Sequence, residues 1–122
     1  NDLPYFEELC AFPAMMPVRQ DMIEKGGDQW TFNVDTYVSN GAYKMTEWTH
    51  NSQIVVEKNE NYYDFENLGP ETITFKLMDN QNAMLSGFKS GELDFIQDAP
   101  QAEITSLIAS GDMKILNYLG TS

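Results

Sequence analysis

Four groupings of residues have the side-chain types that catalysis or metal binding requires. His50 is the only histidine. A histidine base needs an orienting partner and a pocket, and the polar stretch Thr49-His50-Asn51-Ser52 offers neither. Glu92 and Asp94 lie two apart, so on a strand they would share one face. A glycosidase pair must instead flank a sugar, and nothing near them builds a sugar cleft, so both read as structural. Asn59-Glu60-Asn61 starts like the alternating oxygen ligands of a calcium loop, then breaks at Tyr62-Tyr63. Cys10 is the only cysteine, which excludes an intrachain disulfide and a Cys-rich zinc site. Its apolar setting, Leu9-Cys10-Ala11-Phe12, predicts a buried structural thiol. There is no G-x-S-x-G, no H-E-x-x-H and no phosphate-cradling glycine loop. The expectation is of no catalytic residue, no metal and no cofactor.

Composition narrows the classes further. In 122 residues, seven basic side chains face nineteen acidic ones, for a net charge of -12. Phosphate neutralisation needs the opposite balance, so no nucleic acid is expected as a partner, and anionic headgroups are disfavoured for the same reason. The acids are scattered, as on a solvated surface. With 42% hydrophobic residues the chain has material for a core. No apolar run approaches the ~20 residues of a membrane span. Neither a basic stretch nor an apolar run precedes Cys10, so it does not read as a lipid-modified cysteine. The abrupt start reads as a mature protein or an excised piece.

The elements that would position a site emerge from periodicity and punctuation. Leu3 to Phe12 predicts a short helix, with Tyr5, Leu9 and Phe12 at helical spacing. Pro13 and Pro17 make Ala14-Met15-Met16 an apolar connector. Asp21 to Lys25 predicts one or two helical turns stopped by Gly26-Gly27, after which Trp30 and Phe32 anchor a loop. Residues 39–64 hold the clearest signal: strands over Ala42–Thr49 and Gln53–Lys58 joined by a polar turn. Their alternation sets Tyr43 and Met45 on one side and Ala42 and Trp48 on the other. Thr72–Met78 predicts a strand and Gln81–Lys89 a helix capped by Asp79 or Asn80 and ended by Gly91. Leu93–Ile96 predicts a strand. Pro100 starts a helix with Ile104, Leu107 and Ile108 inward, ended by Gly111, and Met113–Leu119 forms a last strand. The fold class is therefore α/β, a mixed sheet with a β-hairpin followed by β-α-β-α-β.

Several of these stretches, taken in order, resemble a known family. They are Ala11-Phe12-Pro13-Ala14 through Pro17-Val18, Ser39-Asn40-Gly41-Ala42-Tyr43-Lys44, Trp48, Ile54-Val55-Val56-Glu57-Lys58-Asn59 and Asn61-Tyr62-Tyr63-Asp64. Ile73-Thr74-Phe75 and Lys89-Ser90-Gly91-Glu92-Leu93-Asp94 complete the set. The sequence resembles a middle segment of the extracytoplasmic solute-binding proteins of peptide (oligopeptide and dipeptide) ABC transporters, family 5. It departs from the family's usual pattern at Ala42, where proline is common, and at Tyr63, where tryptophan is frequent. The resemblance implies a single partial domain over residues 1–122. This would be a segment of the periplasmic-binding-protein-like (type II) lobe that carries both chain ends, with the second lobe absent.

It further implies a non-enzymatic protein that binds peptides between two lobes for uptake. Its partners would be a peptide ligand and the permease subunits, and it would meet the membrane only through a lipid anchor outside the segment. Location would be extracytoplasmic. In open α/β sheets ligands lie beyond the carboxyl ends of strands, which here are Gln97-Asp98 and Leu119-Gly120-Thr121. The family's peptide site aligns with Gln97 and with Tyr118, Leu119, Gly120 and Thr121. Gly120 would admit a ligand backbone. Asp98 would either meet a ligand amine or cap the helix at Pro100, and Tyr118 would serve either site or core. The scaffold is equally compatible with nickel, haem or an oligosaccharide as the solute. A hydrolase using Glu92 and Asp94 is the alternative from another class.

Overall fold

A computed structural model describes residues 4–111, 113–114 and 116. It divides into two compact units, Asn1–Lys76 and Leu77–Ser122.

The first unit opens with helix α1, Phe6–Cys10, shorter than the periodicity predicts. Two prolines shape the next stretch. Phe12 (φ -70, ψ 136) and Met16 (φ -68, ψ 139) each precede a proline and are extended, as the clash with the proline ring demands. Between them Pro13–Met15 makes one 3-10 turn. Cys10 is exposed, contrary to the buried thiol expected. Its apolar neighbours Leu9 and Phe12 are themselves exposed, so this segment supplies no cover. Helix α2, Gln20–Gly26, stops where Gly27 takes φ 57, and Gly27–Phe32 continues as 3-10 turns.

The sheet has the order β1-β2-β3, with β1 Tyr43–Thr49, β2 Gln53–Lys58 and β3 Thr72–Lys76, all antiparallel. Asn51, at φ 61, closes the β1–β2 turn, a left-handed position that asparagine tolerates. A bulge changes the predicted alternation. Met45 pairs with Val56 and Trp48 with Ile54, and the register shifts between Met45 and Glu47. The extra residue, Thr46, carries Trp48 across to the face of Tyr43 and Met45. Ile73 opposite Val56 and Phe75 opposite Ile54 extend that face onto β3. One face is thus apolar apart from Lys58 opposite Tyr43, and the other carries Lys44, Glu47, Thr49, Gln53, Glu57, Thr72, Thr74 and Lys76 beside Val55. Phe32 stacks on Trp48 at 6.1 Å and covers one end of the apolar face.

In the second unit helix α3, Gln81–Ser90, has both ends satisfied. Asn80 Oδ1 accepts from the Asn82 and Ala83 amides at 2.9 and 3.1 Å, and Gly91 ends the helix at φ 79. Leu93–Ile96 carries no strand pairing. Leu93 instead turns back on α3: its amide donates to Gly87 O at 3.1 Å, and a Cβ on Gly87 would lie 3.0 Å from Leu93 Cδ1. Helix α4, Ile104–Ser110, begins four residues after Pro100, and Gly111 ends it at φ 72. Leu107 is buried as predicted, whereas Ile108 is 61% exposed. Of the expected strand Met113–Leu119, the described residues Met113, Lys114 and Leu116 are unpaired, and the others lie outside the described residues. Among the described residues the sheet is antiparallel throughout.

Candidate ligand-binding site

Three features of the first unit organise surface around the hairpin. The first is the junction at its open end. Asn59 is buried, and all its polar groups are used. Its amide donates to Ala42 O at 2.9 Å, its carbonyl accepts from the Tyr62 amide at 2.9 Å, Nδ2 donates to Gly41 O at 2.8 Å, and Oδ1 accepts from the Asn61 amide at 3.1 Å. One residue, through its backbone and its side chain, thus ties residues 41–42 to the turn after β2.

The second feature is an open cleft of about 710 Å³. Met16, Pro17, Val18 and Arg19 form one wall, and Trp30 with residues 37–40 forms the other. The wall at Trp30 is held from behind: buried Thr36 donates its hydroxyl to Trp30 O at 2.6 Å. A Cβ on Gly26 would lie 2.7 Å from Trp30 Cβ, so only glycine fits there. At the rim, Arg19 Nε donates to Asp21 Oδ1 at 3.0 Å, with a second guanidinium–carboxylate contact beside it. This hydrogen bonding holds the Arg19 pKa above its usual value and that of Asp21 below.

The third is a smaller hollow of about 230 Å³ lined by Glu57, Lys58, Glu60, Phe65, Glu71 and Thr72. Lys58 Nζ pairs with Glu71 Oε1 at 2.7 Å and lies 5.7 Å from the centre of the Phe65 ring, so its charge is already engaged.

In the second unit Gln97 and Asp98 lie in the irregular chain between α3 and α4, both exposed. Helix α4 has Glu103 at its N-cap and no side-chain cap bond. Asp98 therefore does not cap it, and its carboxylate is open to solvent. Tyr118, Leu119, Gly120 and Thr121 lie outside the described residues.

The residues singled out for chemistry do not converge. His50 is exposed and rests against the Trp48 ring with centroids 4.3 Å apart. Glu92 and Asp94 are both exposed. Among the described residues no group of three His, Cys, Asp or Glu side chains is placed to hold a metal ion, and no helix is long and apolar enough to cross a membrane. The arrangement offers surfaces, backbone groups and exposed carboxylates, Asp98 among them. Sequence reasoning took Met15-Met16 as a connector and missed the cleft. The signal was present in the apolar residues flanking Pro17, but their partners lie about twenty residues on, and only the fold brings them together.

A solute-binding scaffold is the class that such a chain fits, and comparison with known proteins gives the family. The chain belongs to the bacterial extracellular solute-binding proteins, family 5, whose Middle region matches residues 3–122. The oligopeptide-binding protein OppA of Bacillus subtilis (strain 168) is 36% identical over 120 residues, covering 94% of this chain and 22% of the relative. OppA of Burkholderia pseudomallei has a similar structure, with a TM-score of 0.79 at 29% identity over 88% of this chain and 21% of that one. OppA of Haemophilus influenzae, solved in complex with RPPGFSPFR, gives 0.79 at 28% identity over 90% and 21%. The fold is thus the type II periplasmic-binding-protein-like α/β fold of these proteins, and the chain spans about a fifth of their length.

Proposed function

We propose that this chain is part of the substrate-binding component of an ABC importer that captures peptides between two lobes for uptake. The observation that carries this reading is the agreement of sequence and fold, over nearly the whole chain, with oligopeptide-binding relatives, one of them solved with a peptide. The 122 residues form a segment of the lobe that carries both chain ends, and the opposite lobe lies outside them. A receptor for varied peptides must use what all peptides share, their backbone groups and charged termini. Holding the ligand as an added strand does so. Closure of the two lobes buries it and presents one conformation to the permease. Gln97, Asp98 and the stretch Tyr118–Thr121 are the ligand-facing residues, with Asp98 meeting a ligand amine. No covalent step is needed, so the protein acts without enzymatic turnover or a cofactor. It works outside the cytoplasm, tethered as a lipoprotein by an anchor beyond these residues.

Isothermal titration of the full-length protein with a mixed tetrapeptide pool tests this. Saturable heat with peptides, and none with nickel, haem or oligosaccharides, is expected. Binding of one of those solutes without peptide binding would overturn the reading.

A further inference from the structure

Asn40-Gly41 is the only Asn-Gly step in the sequence, and the proposed function gives the Asn40 side chain no role. Asn40 is exposed, and among the described residues its side-chain amide makes no hydrogen bond, whereas the Gly41 amide is held by Ser39 Oγ at 3.0 Å. We propose that Asn40 is a site of spontaneous succinimide formation and that the Ser39 hydroxyl sets its rate by restraining the Gly41 N–H.

The chemistry needs only solvent. The Gly41 amide nitrogen, deprotonated by hydroxide, attacks Asn40 Cγ. The new N–Cγ bond closes a five-membered ring, the Cγ–Nδ2 bond breaks, and ammonia leaves with a proton from water. Water then opens the imide at either carbonyl, giving aspartate or isoaspartate. Glycine on the carboxyl side favours ring closure because no Cβ obstructs the nitrogen's approach and the backbone turns freely. Asparagine is for such reasons among the thermolabile residues. The brake is geometric: the nitrogen must break its bond to Ser39 Oγ and turn toward Cγ. Both products place a carboxylate in the cleft wall that Asn40 lines. Isoaspartate also lengthens the backbone by one methylene just before Gly41 and Ala42. Their carbonyls are the ones Asn59 holds at 2.8 and 2.9 Å, so the altered chain loosens the hairpin's open end.

The test incubates the full-length protein in mildly alkaline buffer at body temperature and follows peptides by mass spectrometry, with isoaspartate assayed by its methyltransferase. The peptide holding Asn40 is expected to convert faster than that holding Asn51-Ser52, and Asn40→Gln is expected to abolish its conversion. Ser39→Ala is expected to speed conversion by about two- to tenfold, the factor equivalent to one net hydrogen bond, and Ser39→Thr to restore the slow rate. In denaturant the wild type is expected to convert faster than when folded, a comparison that reads the brake even where Ser39→Ala does not fold. An Asn40 peptide still intact when the Asn51 peptide has converted would overturn the site. Equal rates for folded and denatured wild type would overturn the brake.

Discussion

Replacing Asn59 by alanine tests the hairpin junction. The change removes two side-chain hydrogen bonds, Nδ2 to Gly41 O at 2.8 Å and Oδ1 from the Asn61 amide at 3.1 Å. It leaves the backbone bonds to Ala42 and Tyr62 possible. At roughly 1 kcal/mol of net stability per bond, the loss is about 2 kcal/mol. Urea unfolding followed by fluorescence is the assay, because Trp30 and Trp48, the two tryptophans of these 122 residues, both lie in the unit that contains Asn59. With a slope of about 2 kcal/mol per molar, the midpoint should fall by about 1 M with the slope unchanged. Asn59→Asp sharpens the test. Its carboxylate keeps the acceptor for Asn61 but sets an oxygen against Gly41 O, which favours the protonated acid and raises its folded pKa. Stability is therefore present at low pH and lost as pH rises through that value, so the aspartate variant should approach wild type in acid and fall away near neutrality. A midpoint for Asn59→Ala within about 0.2 M of wild type, equivalent to less than about 0.5 kcal/mol, would refute the reasoning that this side chain ties the hairpin shut.

Other substitutions test the cleft. Gly26→Ala should cost about 1–3 kcal/mol, because a Cβ 2.7 Å from Trp30 Cβ has no flexible end to displace; thermal unfolding reads it, and an unchanged transition would contradict the packing. Thr36→Val removes the 2.6 Å bond to Trp30 O from a buried site and should cost about 1–2 kcal/mol in the same assay. For Asp21, hydrogen bonding to Arg19 lowers the folded pKa below 3.8. Its stabilisation is then present above that pH and lost as pH falls through the folded value. Both partners are exposed and screened, so Asp21→Asn should flatten only the acid limb of a stability–pH profile, and less so in high salt. Parallel acid limbs would contradict it.

Local rules account for much of the fold. The hairpin ends, the Asn80 cap and the stops at Gly27, Gly91 and Gly111 are all stated by residue types whose backbone demands are local. Where the chain departs from expectation, contacts outside the local repeat decide. Strict alternation puts Trp48 on the face opposite Met45, but the extra residue at Thr46 brings it beside Ile54 on Met45's own face. Leu93–Ile96 has strand-like residues, but its leading leucine is taken up by the bare backbone of Gly87. Cys10 sits among apolar residues, but apolar composition says nothing about what lies over them. Gln97 and Asp98 carry no local pattern of their own and are proposed from the family resemblance and from their place after the expected strand Leu93–Ile96, which is unpaired. The hairpin carries most of the resemblance, and under the proposed function it is scaffold.

Hydrogen exchange across the full-length protein, with and without saturating peptide, most directly tests the proposal that residues 97–98 and 118–121 face the ligand. Protection on binding is expected at residues 97–98 and 118–121, with residues 39–64 unchanged. Protection of the hairpin or the Met16–Asn40 cleft without protection at residues 97–98 and 118–121 would contradict the account.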